Sequence, residues 1–126
     1  VISQTIRPDP PLGLVRRDGV HQLDEQLTTA ISAAELLYGA ARDRDVRRSE
    51  RVRAMLASFR VVPFDGPAAK VFGPVRAELE RSGRPLEAND LMIASICLVR
   101  DLTLVTGNVR HFERVPGLRV ENWLEG

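Results

Sequence analysis

The sequence predicts an α/β domain built on a mainly parallel sheet. Three observations carry that reading: short β-branched stretches recur along the chain, helix-period apolar patterns separate them, and start or stop residues mark most of the boundaries. Leu27 to Ile31 reads as a short buried strand. Ser32-Ala33-Ala34-Glu35 has the form of a capping box that opens a helix through Leu36, Leu37 and Tyr38. Asp45 caps the next helix, whose apolar face is Val46, Val52, Met55, Leu56 and Phe59, with arginines on the other side. Val61-Val62-Pro63-Phe64 is a strand, and its proline points to a frayed or edge position. Asp65 followed by Pro67 starts a helix and Gly83 stops it. Val71, Phe72, Val75 and Leu79 form its buried stripe, with a kink expected at Gly73-Pro74.

Glu87 or Asn89 opens a further helix, Asp90 to Arg100, that is apolar almost all round and so packs on more than one face. Leu102 to Val105 is a compact strand, Thr106-Gly107-Asn108 a turn, and a short helical turn follows near His111 and Phe112. Leu118 to Val120, near Trp123, is the last strand. Ahead of all these, Val1 to Ile6 runs into a proline-rich break, Arg7-Pro8-Asp9-Pro10-Pro11, and Leu12 to Gln22 reads as a short helix with Leu14, Val15 and Val20 on one side.

At 126 residues, 44% apolar and 28% charged, the chain has the balance of one globular domain, residues 1–126. A single cysteine, Cys97, excludes an internal disulfide and suits a reducing, cytoplasmic setting. No apolar run has the length of a membrane span, and the first residues lack the apolar core of a secretion signal. The net charge of +1 does not announce a nucleic-acid binder. Lys70 is the only lysine, and seven arginines fall between Arg42 and Arg60, a run whose plain reading is a solvated helix face.

In parallel α/β sheets, ligands bind where strand carboxyl ends meet helix starts. Glu35, Asp90 and Asn108, with Thr106 beside it, fall at or near such edges. Each has an ordinary structural explanation taken singly: Glu35 as the acid of the capping box, Asp90 as an acid favoured by the helix dipole, Asn108 as a turn residue. Together, two carboxylates and a carboxamide make hard oxygen ligands of the kind Mg²⁺ or Mn²⁺ prefers. Glu87 can reach the same edge, and reads more simply as a helix-start acid.

Three stretches in order, AEL-x-YG around Glu35, ND-L-x-IA around Asp90 and T-x-N-x-x-x-F from Thr106 to Phe112, together with the opening VIS, resemble the PIN-domain ribonucleases, specifically the VapC-type toxins of bacterial toxin–antitoxin pairs. The resemblance covers nearly the whole chain. It implies an α/β/α sandwich on a central parallel sheet and a Mg²⁺-dependent endoribonuclease (Mn²⁺ serving in its place) that hydrolyses phosphodiester bonds of structured RNA with a metal-activated water. Asp90 and Glu35 then stand as the metal ligands, Asn108 completes the site and Thr106 hydrogen-bonds a ligand or the scissile phosphate. Arg84 and Arg110, with Arg7, grip the RNA backbone or are ordinary surface charge. The resemblance also implies a homodimer and a cognate VapB antitoxin, with Leu36, Leu37, Val46 and Met55 as partner-facing or core residues.

One departure bears on activity. The family's first strand ends in an Asp-Thr-Asn run directly before the residues that look like Val1-Ile2-Ser3, and no residue of this sequence matches that Asp. The expectation is a sequence truncated at its amino end, without the central strand. The rival class is a non-catalytic PIN-like module that binds RNA or a partner, which the missing Asp and the amide at Asn108 favour. A phosphatase needs a nucleophilic Asp at the same unmatched position.

Overall fold

The computed structural model describes residues 13–17, 26–42 and 44–122. Its five strands are β1 (Leu14–Arg17), β2 (Leu27–Thr29), β3 (Arg60–Val62), β4 (Leu102–Thr106) and β5 (Val120–Asn122). The helices are α1 (Ala30–Arg42), α2 (Val46–Ala57), α3 (Gly66–Arg81), α4 (Ala88–Arg100) and the short α5 (Val109–Phe112). The strand order is β3-β2-β1-β4-β5. β2 pairs parallel with β3 and β4 parallel with β5, while β1 is antiparallel to both β2 and β4. Four strands therefore run the same way and the central one is reversed.

That central strand corrects the helix expected over Leu12 to Gln22, at least for residues 14–17. Two parallel strands, β2 and β4, each present an unpaired ladder to the gap between them, and an extended segment satisfies both at once. Val15 lies buried there against the core, while Arg16 and Arg17 reach solvent. Arg16 pairs with Glu121 on β5, and the Thr28 hydroxyl donates to the Gly13 carbonyl (2.8 Å). Gly13 is packed so closely that a Cβ there would lie 2.8 Å from Ser32 Oγ. The mainly parallel sheet of the expected α/β fold is present, four of its five strands running the same way, with the antiparallel Leu14–Arg17 at its centre. The readings of Val1 to Ile6, of the proline-rich break with Arg7, of Val20 and of Trp123 lie outside the described residues.

The start of α1 also differs from its reading. The helix begins at Ala30, three residues early, because Thr29 supplies the cap: its Oγ1 accepts from the Ser32 N–H and donates to Ser32 Oγ, both at 3.1 Å. Glu35 is therefore no capping-box acid but an exposed residue within the helix. Other boundaries follow the local chemistry. Asp45 accepts from the Arg47 and Arg48 N–H groups at the start of α2, and Asp65 from that of Ala68, with proline in the first turn of α3. The α3 helix runs on through Pro74, and Gly83, at φ +74°, takes the left-handed conformation just past its end. β3 lies at a sheet edge, as its proline suggested, and β5 starts at Val120, two residues beyond the expected Leu118.

α4 joins the two halves of the core. Its Ile93, Ile96 and Cys97 pack with Val15, Leu27, Val62, Leu102 and Leu104, and its Leu91 and Ala94 pack with Leu79 and Val115. Near-total apolarity is what a helix inserted between two clusters requires. Burial pushes the Cys97 thiol up to about 12, against a smaller opposing pull from Arg119, so no thiolate nucleophile forms there near neutral pH. Among the described residues, no helix is long and apolar enough to cross a membrane.

Candidate functional site

The reversed β1 leaves the carboxyl ends of β2 and β4 on the same side of the sheet, flanking Gly13. α1 leaves the end of β2 and carries Glu35, whereas Thr106 closes β4 and leads through Asn108 into α5. α4 presents its first turn, Asn89 and Asp90, to the same place. The Asn89 side-chain amide donates to Glu35 Oε2 at 2.9 Å, so an acid on α1 touches the residue adjoining an acid on α4. Residues 54 positions apart are brought together by two turns of different helices.

Asp90 is half-buried and binds forward rather than back: its Oδ2 lies 2.9 Å from Nε2 of His111 on α5. A carboxylate only accepts, so Nε2 carries the hydrogen of that bond. The imidazole also meets the Phe112 ring edge-on, with centroids 5.4 Å apart, and Phe112 is itself anchored in the core. Thr106 Oγ1 accepts from the Asn108 N–H at 3.1 Å, which folds the loop between β4 and α5 back on itself. The Asn108 side chain makes no capping bond for α5, and the exposed Glu87, at the start of α4, makes none there either.

A groove of about 680 Å³ opens beside His111. Residues 83–85, between α3 and α4, line it together with Asn108, Arg110, His111 and Arg114. Three guanidinium groups and an imidazole, with no acid among the lining residues, give the groove a positive character suited to an anion. Arg114 is fixed across it by a 2.7 Å bond from Nη1 to the Pro85 carbonyl.

The structure thus brings Glu35 and Asp90 to one edge through Asn89, and brings Arg84, Arg110 and Asn108 into one groove that meets Asp90 at His111. Thr106 Oγ1 accepts a bond from its own loop. The described residues hold no group of three or more His, Cys, Asp or Glu able to bind a metal, so Glu35 and Asp90 belong to no closed cage among them. Their chemistry still suits a hard cation: each acid has one oxygen engaged by a hydrogen-bond donor, Asn89 or His111, which leaves the other oxygen as a hard ligand. Sequence reasoning passed over Asn89, His111 and Arg114. For His111 a signal existed, since it lies within the T-x-N-x-x-x-F stretch and one helical turn past Asn108.

The fold and this edge define a PIN domain, and the chain belongs to that family, whose model matches residues 9–118. Its relatives include VapC proteins. The chain is 40% identical over 96 residues to the tRNA(fMet)-specific endonuclease VapC of Salmonella typhimurium, covering 75% of this chain and 73% of that protein. It is 35% identical over 100 residues to ribonuclease VapC2 of Rickettsia felis, covering 76% and 75%. Among solved structures it is similar to the DNA-bound VapBC of Salmonella typhimurium, with a TM-score of 0.74, 39% identity, and 77% and 74% of the two chains covered.

Proposed function

We propose that the chain is a divalent-metal-dependent endoribonuclease, the toxin of a toxin–antitoxin pair, which hydrolyses phosphodiester bonds in structured RNA in the cytoplasm. The observation that carries this reading is the contact chain from Glu35 through Asn89 and Asp90 to His111, which sets an acidic edge against a cationic groove. The names of the relatives support the same reading, being an endonuclease acting on tRNA(fMet) and a ribonuclease.

Asp90 and Glu35 would hold Mg²⁺, or Mn²⁺ in its place, which when bound supplies Lewis acidity and a water acidified enough to attack near neutral pH. Asp90 orients that centre and Glu35 completes or aligns it from α1. Asn108 offers a carboxamide at the mouth of the groove, and the Thr106 hydroxyl sets the loop that carries it. Arg84, Arg110 and Arg114 bind backbone phosphates on one flank of the cleavage point. Replacing both Arg84 and Arg110 by alanine is expected to raise KM roughly tenfold and to flatten the salt dependence of RNA binding by about two counterions, with kcat changed much less. Filter binding at several salt concentrations checks this, and an unchanged slope removes the two arginines from the RNA contact.

Exposed apolar side chains on α1 and α2, Leu37, Tyr38, Val46 and Met55, offer a surface for a VapB-type antitoxin or the second copy of a homodimer. Leu36 is half-buried. A second reading, a PIN-like module that binds RNA without cutting it, draws on the lack of a three-ligand group among the described residues. Cleavage of a folded RNA by the purified chain decides between them. Magnesium should support cutting and excess chelator should abolish it, leaving 5′-phosphate and 3′-hydroxyl ends. Cutting that survives chelation, or that leaves 2′,3′-cyclic phosphates, contradicts hydrolysis by a metal-activated water.

A further inference from the structure

We infer that His111 is a positioning residue for Asp90, holding one carboxylate oxygen so that the other is presented to the cation, and that this role deepens the ribonuclease reading on which it rests. The imidazole is placed between the two parts of the site: its Nε2 bonds to Asp90 Oδ2 at 2.9 Å, and its side chain lines the arginine groove. Both side chains are about three-quarters buried, at 24% and 30% exposed, so water competes weakly for the bond. The ring cannot swing freely, because Phe112 packs edge-on against it and is buried in the core.

An aspartate alone would rotate about its side-chain torsions and present either oxygen. With Oδ2 committed to a donor from another element, the carboxylate is locked and Oδ1 is the oxygen left for a ligand. Glu35 is treated the same way, its Oε2 taken by the Asn89 amide. Each of the two acids thus has one oxygen held by a hydrogen-bond donor, the arrangement by which outer partners orient ligands around a metal. A purely structural brace for α5 would need only some polar contact at this point. A positioning role needs the donor at the reach of Nε2.

The test compares His111→Ala, His111→Gln and His111→Asn in the full chain. Gln places an amide nitrogen at about the reach of Nε2, whereas Asn falls short of it. Three readouts are taken: kcat and KM for an RNA oligonucleotide with magnesium, Mn²⁺ affinity by titration calorimetry without RNA, and the melting temperature. His111→Ala should lower kcat and Mn²⁺ affinity each roughly 10–100-fold with KM within about threefold. His111→Gln should restore most of both, and His111→Asn should not. If His111→Ala fails to fold, the comparison of Gln with Asn carries the test. Unchanged kcat and Mn²⁺ affinity in His111→Ala, or equal rescue by Gln and Asn, overturns the inference while leaving the ribonuclease reading in place. A wild-type chain that cuts no RNA yet binds Mn²⁺ more tightly than His111→Ala sinks the ribonuclease reading and keeps the positioning role. A wild-type chain that does neither sinks both.

Discussion

Asp90→Asn is expected to cut RNA cleavage by roughly 10²–10³-fold or more, the counterpart of the several kcal/mol of transition-state stabilisation that a well-held cation supplies. The substitution is nearly isosteric, and its amide oxygen still accepts from His111, so α5 and the groove stay where they are. What it removes is the negative charge, and an amide is a poor ligand for a hard cation beside a carboxylate. The loss should therefore fall on kcat and on metal affinity, while RNA affinity measured with chelator present stays within about twofold. Single-turnover cleavage with excess protein separates the two. Full cleavage by Asp90→Asn would remove this residue from the chemistry. Glu35→Gln should show the same pattern with a smaller loss, since Glu35 is the more exposed of the two acids.

Ile96→Ala should destabilise the fold by about 2–5 kcal/mol, with a fall in Tm of roughly 10–20 °C. Ile96 is fully buried on α4, at the side facing the sheet, where it packs with residues from β1, β2, β3 and β4. Truncating it removes three carbons' worth of apolar transfer and leaves a cavity that the rigid sheet cannot close. Because α4 also carries Asp90 at its first turn, loosening it should reduce cleavage beyond the fraction unfolded. Thermal and urea unfolding give the stability change, and a shift below about 1 kcal/mol would contradict the packing described for this helix. An equivalent truncation at the exposed Met55 on α2 removes little buried area, so it serves as the contrast.

Much of the architecture was legible because its signals are local. Asp45 and Asp65 announce helix starts through side-chain oxygens that accept from the first turn, Gly83 marks an end through its left-handed backbone, and the all-round apolarity of α4 reports two packing faces in one helix. The failures are also physical. Leu14–Arg17 carries two arginines in four residues and no strand periodicity, and becomes a strand because the gap between β2 and β4 needs two ladders filled, a tertiary demand invisible in sequence. Thr29 outcompetes Ser32 as the cap of α1 because the short strand β2 ends there, one residue before the helix begins. That shift freed Glu35 from a local explanation. The acids Glu35 and Asp90 were nameable from motif spacing, but their partners were not: Asn89 and His111 matter only through contacts across 54 and 21 residues. Arg114, likewise, gains its place from a bond to Pro85 across 29 residues.

At the centre lies the idea that the carboxylates of Glu35 and Asp90 share one divalent ion. Calorimetric titration of Mn²⁺ into the wild-type chain, Glu35→Gln, Asp90→Asn and the double variant tests it without any RNA. One saturable site is expected in the wild type, weakened by each single substitution, with the double variant losing less than the sum of the two single losses because both act on the same ion. Two substitutions with independent, additive effects, or a site that binds Mn²⁺ as tightly without Asp90 as with it, would contradict a shared metal and with it the proposed chemistry.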